Sequence, residues 1–316
     1  MPLPKVSVIG AGQVGATTAH LLALKGLADV TLIDIVDGLA QGKALDMLSS
    51  APIEGFPGRV DGTTDFGAMA DSRLIIMTAG LARKPGMSRD DLLAANAGIV
   101  GPIAARAATL APEAVLIVVT NPLDVMVALA LQRSGLPRHR VMGMAGVLDT
   151  ARLRTFIAEQ LRVRPTDVQA MVLGSHGDLM VPLKHSVTVQ GRPATERMTP
   201  QQLTAAFERT QDVGAEIVRL LKQGSAFHAP ATGVVAMARA ILMNTREVLP
   251  VCASLEGEYG LRDVCIGVPA ELGARGIERI VELELSDDER RALTASADQV
   301  RELIKSLAAI PAAAKT

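Results

Sequence analysis

Short apolar runs alternate with segments of helical spacing along the first half of the chain. The apolar runs are continuous, which is typical of strands buried on both faces of a parallel sheet. They predict strands over residues 5–9, 30–33, 74–78 and 115–119. The segments with apolar positions three or four apart predict helices over residues 14–25, 37–50, 89–110 and 123–134. This alternation indicates an α/β fold, with a doubly wound parallel sheet over residues 1–145.

The second half of the chain has a different pattern. Strands are predicted over residues 168–173, 184–189, 248–253, 262–266 and 277–283. Helices are predicted over residues 151–161, 200–222, 232–244 and 286–309. Ser286 and Glu289 have the spacing of a capping box at the start of the last helix. We therefore expect a mixed α+β domain over residues 146–316, and the absence of a long linker predicts close packing of the two domains.

Composition narrows the class of protein. Of the 316 residues, 49% are hydrophobic, the net charge is −1, and there are no tryptophans, one tyrosine and five phenylalanines. A neutral chain with so few aromatic residues favours neither a nucleic-acid partner nor a base-stacking surface. Cys252 and Cys265 lie in apolar runs, which favours two reduced core thiols over a disulfide or a metal pair.

Two observations bear on the cellular location. Apolar runs stay short of the ~20 residues that span a bilayer. The chain also enters a strand almost at once, with no leader pattern before it. We therefore expect a soluble, cytoplasmic protein with no membrane partner and no metal.

Residues 10–15 read GAGQVG and match the G-x-G-x-x-G pattern. The motif follows a predicted strand and opens a predicted helix, and Asp34 ends the next strand. In a dinucleotide-binding turn, Gly10 permits the tight bend, Gly12 lets backbone amides approach a pyrophosphate, and Gly15 lets the helix pack on the sheet. The alternative is a purely structural strand–turn–helix, with Asp34 as a solvated strand end.

Polar residues in three other segments are candidates for chemistry. His176 lies in GSHGD after a predicted strand, where a carboxylate partner could fix its tautomer. Asp149 and Arg152 are three residues apart in VLDTARLR and therefore share a helix face. Asn121 in VVTNPLD ends a strand, where ligands bind in open α/β sheets. The alternatives are a structural histidine, an acid and a surface arginine at a helix start, and a helix N-cap before Pro122.

The segment LARKPGMSRD, residues 81–90, places Arg83 and Arg89 in a loop after a buried strand. Gly86 and its neighbours suit a lid that excludes water from a site. The alternative is an exposed basic loop in which Ser88 caps the helix that begins at Arg89.

Together these motifs resemble the lactate/malate dehydrogenase family, and most closely its lactate-dehydrogenase-like malate dehydrogenases of bacterial type. The resemblance covers essentially the whole chain and includes GAGQVG, Asp34, TAGLARKPGMSRDDLL, VVTNPLD, VLDTARLR and GSHGDLMVP, in family order and spacing. It implies an N-terminal Rossmann domain, a C-terminal substrate domain, and reversible NAD-dependent oxidation of (S)-malate to oxaloacetate. The alternatives are an L-lactate dehydrogenase and a catalytically silent NAD-binding module.

The resemblance also implies a role for each motif. His176 would be the general base, held by Asp149, and Arg152 would bind the C1 carboxylate of the substrate. Asn121 would bond the reacting oxygen. The residues implied in NAD binding are Gly10, Ala11, Gly12, Gln13, Val14, Gly15, Asp34, Asn96, Val119, Thr120 and Asn121.

For the loop, the resemblance implies that Arg89 polarises the substrate carbonyl and that Arg83 pairs with the distal carboxylate. Lactate has no second carboxylate, and the lactate enzymes of the family usually have a glutamine at the position of Arg83. A buried, unpaired arginine costs several kcal/mol, so Arg83 favours malate. Members of the family are dimers or tetramers, so a homodimer or homotetramer is expected.

Overall fold

The computed structural model of the protein describes residues 2–82 and 87–308. Strands and helices alternate in its first half. The strands are β1 (Lys5–Ile9), β2 (Asp29–Ile33), β3 (Val60–Thr63), β4 (Leu74–Met77), β5 (Val115–Val118) and β6 (Val141–Gly143). The helices are α1 (Gln13–Leu24), α2 (Leu39–Glu54), α3 (Arg89–Leu110) and α4 (Leu123–Ser134).

Among the described residues of the second half, 146–308, there are four α-helices and eight strands. The helices are α5 (Gly146–Leu161), α6 (Pro200–Leu221), α7 (His228–Leu242) and α8 (Asp287–Ala308). The strands are β7 (Val168–Gln169), β8 (Val172–Gly174), β9 (Met180–Pro182), β10 (Thr188–Val189), β11 (Arg192–Pro193), β12 (Glu247–Glu256), β13 (Arg262–Gly273) and β14 (Gly276–Ile280).

Strands β1 to β6 form a parallel sheet in the order β3-β2-β1-β4-β5-β6. Their side chains alternate between two apolar layers, as the two-residue period of a strand requires. Val6, Val8 and Ile76 face the layer that α1 and α7 cover, whereas Ile9, Met77 and Val118 face the layer of α3 and α4. The first half is thus the doubly wound α/β unit that the sequence predicts.

The main sheet continues into the second half without a break. Strand β6 pairs antiparallel with β12 at Gly143 and Cys252, and the order then runs β12-β13-β8-β9, with β14 on β13. Gly143 is constrained by this junction, because a Cβ there would lie 3.1 Å from the Cβ of Cys252 and 2.5 Å from Val127. Strands β7, β10 and β11 form a separate, smaller antiparallel sheet.

Most predicted elements are confirmed, some to the residue. Lys5–Ile9, Arg89–Leu110 and Leu123–Ser134 have the predicted bounds. The capping box of the last helix is also present, because the Glu289 N–H donates to Ser286 Oγ and the Ser286 N–H donates to the Glu289 carboxylate. Cys252 and Cys265 are buried free thiols, as predicted.

Two strand predictions in the second half are wrong in detail. Residues 168–173 form two short strands that belong to different sheets, and the Val172 N–H near the break donates to Thr150 Oγ1. Residues 184–189 begin as a 3₁₀ turn, because the Lys184 N–H donates to Glu289 on α8 and only Thr188–Val189 is extended. In both places a side chain on a helix accepts a hydrogen bond from a backbone N–H that would otherwise be available for strand pairing.

Helix α3 has the length and composition of a membrane span over Asp90–Leu110, with a mean hydropathy of 1.2. Within the fold, Leu93, Val100, Ala104 and Ala107 are buried against the sheet and α4. The apolar character of α3 therefore belongs to a core helix.

Candidate active site

The GAGQVG turn joins β1 to α1 at the carboxyl edge of the sheet. Gly10 has a φ of +101°, and a Cβ there would lie 2.7 Å from the Ala79 backbone nitrogen. At Gly15 a Cβ would lie 1.9 Å from the Gly10 carbonyl oxygen, so the helix requires glycine to pack this closely. At Gly12, the N-cap of α1, a Cβ would meet nothing within 4 Å. This open space in front of free helix N–H groups fits a phosphate.

Asp34 follows β2 and turns back toward the same glycine-rich turn. The Ala11 N–H donates to Asp34 Oδ2 at 2.6 Å, and the Val36 N–H donates to Oδ1 at 3.0 Å. Lys43 on α2, which was not predicted from the sequence, donates from Nζ to the Ala11 carbonyl oxygen at 2.7 Å. The carboxylate of Asp34 is thus fixed beside the turn, where the sequence predicts the adenosine ribose.

Asn96 and Thr120 hold the neighbouring loops together. The Asn96 side chain, fully buried on α3, accepts from the Leu81 N–H at 2.7 Å and donates to the Asn121 carbonyl oxygen at 2.6 Å. The Thr120 hydroxyl donates to the Ala79 carbonyl oxygen at 2.7 Å. Both side chains therefore join the loop after β4 to the loop after β5, and their predicted contact with NAD stays a prediction.

His176 and Asp149 meet although they are 27 residues apart. His176 Nδ1 lies 2.8 Å from Asp149 Oδ2, and Asp149 is 1% exposed. Arg152, one turn further along α5, lies with Nη1 3.4 Å from Asp149 Oδ1. The glycines around His176 have positive φ, +85° at Gly174 and +137° at Gly177, which lets the loop turn sharply after β8.

The surroundings of His176 favour its charged form. Burial of the imidazole lowers its pKa, but the carboxylates of Asp149 and Asp124 raise it by more, so the pKa lies above the usual 6.5. Burial likewise lowers the pKa of Arg152, and Asp149 opposes that effect. A guanidinium remains charged throughout the physiological range.

Two adjoining clefts open onto His176. One, of about 520 Å³, contains Arg152 and is bounded on its far side by α6. The other, of about 310 Å³, contains Asn121 and the first turns of α3 and α4. Asn121 is not the N-cap of α4, which begins after Pro122. The structure thus gathers Asn121, Arg152 and His176 around connected openings at the carboxyl edge of the sheet.

Comparison with known proteins decides the family. The family profile for the lactate/malate dehydrogenase NAD binding domain matches residues 4–143, and the profile for the lactate/malate dehydrogenase alpha/beta C-terminal domain matches residues 146–310. The chain belongs to the lactate/malate dehydrogenase family. Its first half is the NAD-binding part, and the protein is an NAD-dependent oxidoreductase.

Individual members of the family match over nearly the full length. The malate dehydrogenase of Roseiflexus castenholzii is 53% identical over 304 residues, which are 96% of this chain and 98% of the relative. The malate dehydrogenase structure from Salinibacter ruber superposes with a TM-score of 0.93 at 47% identity, covering 98% and 100% of the two chains. The Cryptosporidium parvum lactate dehydrogenase complexed with lactic acid and NAD has a TM-score of 0.95 at 39% identity, covering 98% and 100%.

Two residues for which the resemblance implies substrate contacts, Arg83 and Arg89, follow β4 in the sequence. Arg83 lies outside the described residues. Arg89 begins α3, but its side chain is likewise outside what the structure describes. Ser88 caps α3 through a capping box with Asp91, so the helix start that the sequence analysis offered as an alternative for this segment is present. Their substrate contacts stay predictions.

One acidic residue beside His176 was not predicted from the sequence. Asp124 is 5% exposed in the first turn of α4, and its Oδ2 accepts from the His176 N–H at 3.0 Å. Its position three residues after Asn121, in the quoted segment VVTNPLD, was the available signal. Within residues 2–82 and 87–308, no group of three or more histidine, cysteine or acidic residues could hold a metal ion.

Proposed function

We propose that this protein interconverts (S)-malate and oxaloacetate with NAD, and that His176 is its general base. The observation that carries the proposal is the pair of His176 Nδ1 and Asp149 Oδ2 at 2.8 Å beside Arg152. Binding of NAD alone needs neither a buried imidazole–carboxylate pair nor a guanidinium next to it. A 2-hydroxy acid needs both, because it carries a hydroxyl proton and a C1 carboxylate.

The pairing assigns the two ring nitrogens of His176 different roles. An ionised Asp149 accepts a hydrogen bond from Nδ1–H, which leaves Nε2 of the neutral ring as the acceptor. Nε2 would take the hydroxyl proton during malate oxidation and return it during oxaloacetate reduction. Asp149 stabilises the imidazolium that forms, so the proton transfer does not leave a buried, unpaired cation.

Arg152 would orient the substrate on the same helix face as Asp149. Its side chain is 13% exposed, so a carboxylate bound in the adjoining cleft would meet a poorly hydrated guanidinium. A planar guanidinium can hold a carboxylate through two parallel hydrogen bonds. Arg83 would bind the second carboxylate and Arg89 the carbonyl oxygen, and these two roles rest on the sequence.

The residues of the first half fit NAD. The turn of residues 10–15 would hold the pyrophosphate, Asp34 would accept bonds from the ribose hydroxyls, and Val119, Thr120 and Asn121 would line the nicotinamide side. When bound, NAD supplies the acceptor for the hydride that leaves C2 of malate.

An absorbance assay tests the proposal directly. The decay of NADH absorbance is followed with oxaloacetate, with pyruvate and with neither. We expect fast decay with oxaloacetate and a far smaller rate with pyruvate. A preference for pyruvate would support an L-lactate dehydrogenase instead. No decay with either substrate would support a catalytically silent NAD-binding module.

Cofactor choice is expected to favour NAD strongly over NADP. The Asp34 carboxylate, bonded to the Ala11 N–H, would repel a 2′-phosphate at the ribose. Ile35 and Val36 next to it carry no charge, and the ammonium group of nearby Lys43 bonds the Ala11 carbonyl oxygen. The measurement is kcat/KM for NADH and NADPH at fixed oxaloacetate. Comparable values would contradict the assignment of Asp34.

The pH dependence is expected to have opposite signs in the two directions. Malate oxidation needs neutral His176, so its rate should fall as pH drops through the raised pKa. Oxaloacetate reduction needs the imidazolium, so its rate should fall as pH rises through the same pKa. Because the net shift is upward, both midpoints should lie above about 6.5. The check is kcat/KM in each direction from pH 5 to 10, and midpoints below that value would oppose the role of Asp149.

Location and assembly complete the proposal. A cytoplasmic location stays a prediction. A homodimer or homotetramer is supported by two large apolar side chains that α2 exposes, Leu45 at 67% and Ile53 at 86%. A second copy of the chain would cover them.

A further inference from the structure

A second carboxylate, that of Asp124, lies beside His176. Asp124 Oδ2 accepts from the His176 backbone N–H at 3.0 Å, across 52 residues of chain. The residue is 5% exposed. Asp124 thus attaches the loop after β8 directly to the first turn of α4, immediately beside Asn121.

The carboxylate is costly for this fold to bury. Apart from the weak donor of the Cys252 thiol, the His176 N–H is the only partner of the carboxylate among the described residues, and burial raises the pKa of the carboxyl to about 6. A neutral asparagine could accept the same N–H bond without the penalty of burying a charge. Anchoring of the loop therefore explains why an oxygen acceptor is present at this position. It does not explain why the acceptor is a carboxylate, which carries a charge.

The groups that face Asp124 identify the partner of that charge. Asp149 on α5 repels it, and the imidazole of His176 attracts it once protonated. The thiol of Cys252 on β12 lies against the Asp124 carboxylate, and the carboxylate also acts electrostatically on Cys265 on β13. Burial raises the pKa of both thiols, so both remain neutral.

Two further charged groups lie near this pair. Asp90 on α3 lines the same cleft as Asn121, and Arg152 on α5 lowers the pKa of His176. The imidazolium is thus the nearby cation that gains most from a charged Asp124.

We infer that Asp124 is a positioning residue for His176: its carboxylate anchors the backbone of the histidine, and its negative charge stabilises the imidazolium in addition to Asp149. With Asp149 alone, the imidazolium would form an ion pair that Arg152 already weakens, since the guanidinium lies 3.4 Å from the same carboxylate. Asp124 offsets that competition. The proposal deepens the function proposed above, and its kinetic part rests on that function.

The test separates the anchor from the charge. Asp124→Asn keeps an acceptor for the His176 N–H but removes the charge, and Asp61→Asn removes an exposed carboxylate on β3 as the matched control. The first readout is NMR titration of the histidine rings, with the His176 signal assigned by its loss in His176→Asn. We expect the His176 midpoint to fall by at least about half a unit in Asp124→Asn and to stay unchanged in Asp61→Asn. The expected fall is smaller than the roughly one to three units of a directly paired opposite charge, because Asp124 bonds the backbone of His176 and not its ring.

Kinetics supplies the second readout. If the His176 pKa falls by half a unit, the pH above which oxaloacetate reduction slows falls by the same amount. At a pH well above that pKa, the protonated fraction of His176, and with it the rate, should drop about threefold. The affinity for NADH should not change. Asp124→Ala removes both the negative charge and the acceptor for the His176 N–H. This variant should lower kcat further at every pH, because the loop also loses its anchor.

Equal His176 midpoints in wild type and Asp124→Asn would overturn the inference and leave Asp124 a structural acceptor. Should Asp124→Asn fail to fold, the wild-type titration still decides. The His176 signal should then show a second step near pH 6 from Asp124, as coupled groups do, and a single step would overturn the inference. Because NMR needs no turnover, a protein inactive on oxaloacetate would contradict the proposed function without changing this result.

Discussion

Replacement of His176 by asparagine should lower kcat by about 10²–10⁴-fold in both directions, the range that a positioned general acid or base contributes. Asparagine can fill much of the imidazole's space and donate a hydrogen bond toward Asp149, but it cannot take up a proton at neutral pH. The Kd for NADH should be unchanged, because the glycine-rich turn and Asp34 lie in the other half of the chain. The measurement is steady-state kinetics in both directions, with NADH binding followed by fluorescence.

A matched substitution at another histidine controls for nonspecific effects. His139 precedes β6, at the edge of the sheet opposite the candidate site, so His139→Asn should keep wild-type turnover. Near-normal turnover in His176→Asn would show that another group is the base, whatever the substrate. Equal losses in both variants would point to instability of the protein.

Replacement of Arg83 by glutamine should reduce the preference for oxaloacetate over pyruvate by at least about two orders of magnitude. Oxaloacetate loses a desolvated, charge-assisted pair worth about 2–5 kcal/mol, by analogy with buried interfacial charges. Pyruvate no longer leaves a buried arginine unpaired, so its reduction should improve. Both effects add in the ratio of kcat/KM values, where 1.36 kcal/mol corresponds to about tenfold.

The neighbouring arginine supplies the contrast. Arg89→Gln should slow both substrates, because both contain the carbonyl that Arg89 is predicted to polarise. The measurement is steady-state kinetics of both variants on both substrates. If Arg83→Gln lowered both substrates equally, Arg83 would be a general residue of the loop or of the chemistry, and malate specificity would have to come from elsewhere in the site.

Much of the fold could be predicted because local patterns decide it. Buried parallel strands such as Leu74–Met77 are continuous apolar runs, and capped helices such as α3 carry their own start signal. Strand β3, by contrast, has the sequence VDGT and gives no strand signal. Its Gly62 is required by the fold, since a Cβ there would lie 2.2 Å from the Ala40 carbonyl oxygen on α2. Such contacts depend on tertiary packing and leave no trace in local propensity.

The candidate site was predictable where a motif carries its own chemistry. His176, Asp149 and Arg152 could be selected from spacing and residue type, and the resemblance gave them roles. Asp124 was passed over, because an acid in the first turn of a helix is ordinarily a solvated residue that favours the helix dipole. Here α8, β12 and β13 pack against α4, and Asp124 is shielded from water. This burial depends on tertiary packing and cannot be predicted from the local sequence.

The pairing of β6 with β12 determines how the two halves of the molecule can move. The two family profiles meet between residues 143 and 146, yet that boundary falls inside a continuous hydrogen-bonded sheet. A hinge there would have to break the ladder at Gly143 and Cys252, so rigid-body closure of one half over the other is a poor way to shield a bound substrate. The same junction opposes dissection: residues 1–145 alone would present β6 as a bare sheet edge, a template for aggregation. Because the two halves share one sheet, shielding of the clefts is expected to come from short surface segments and not from movement of one half against the other.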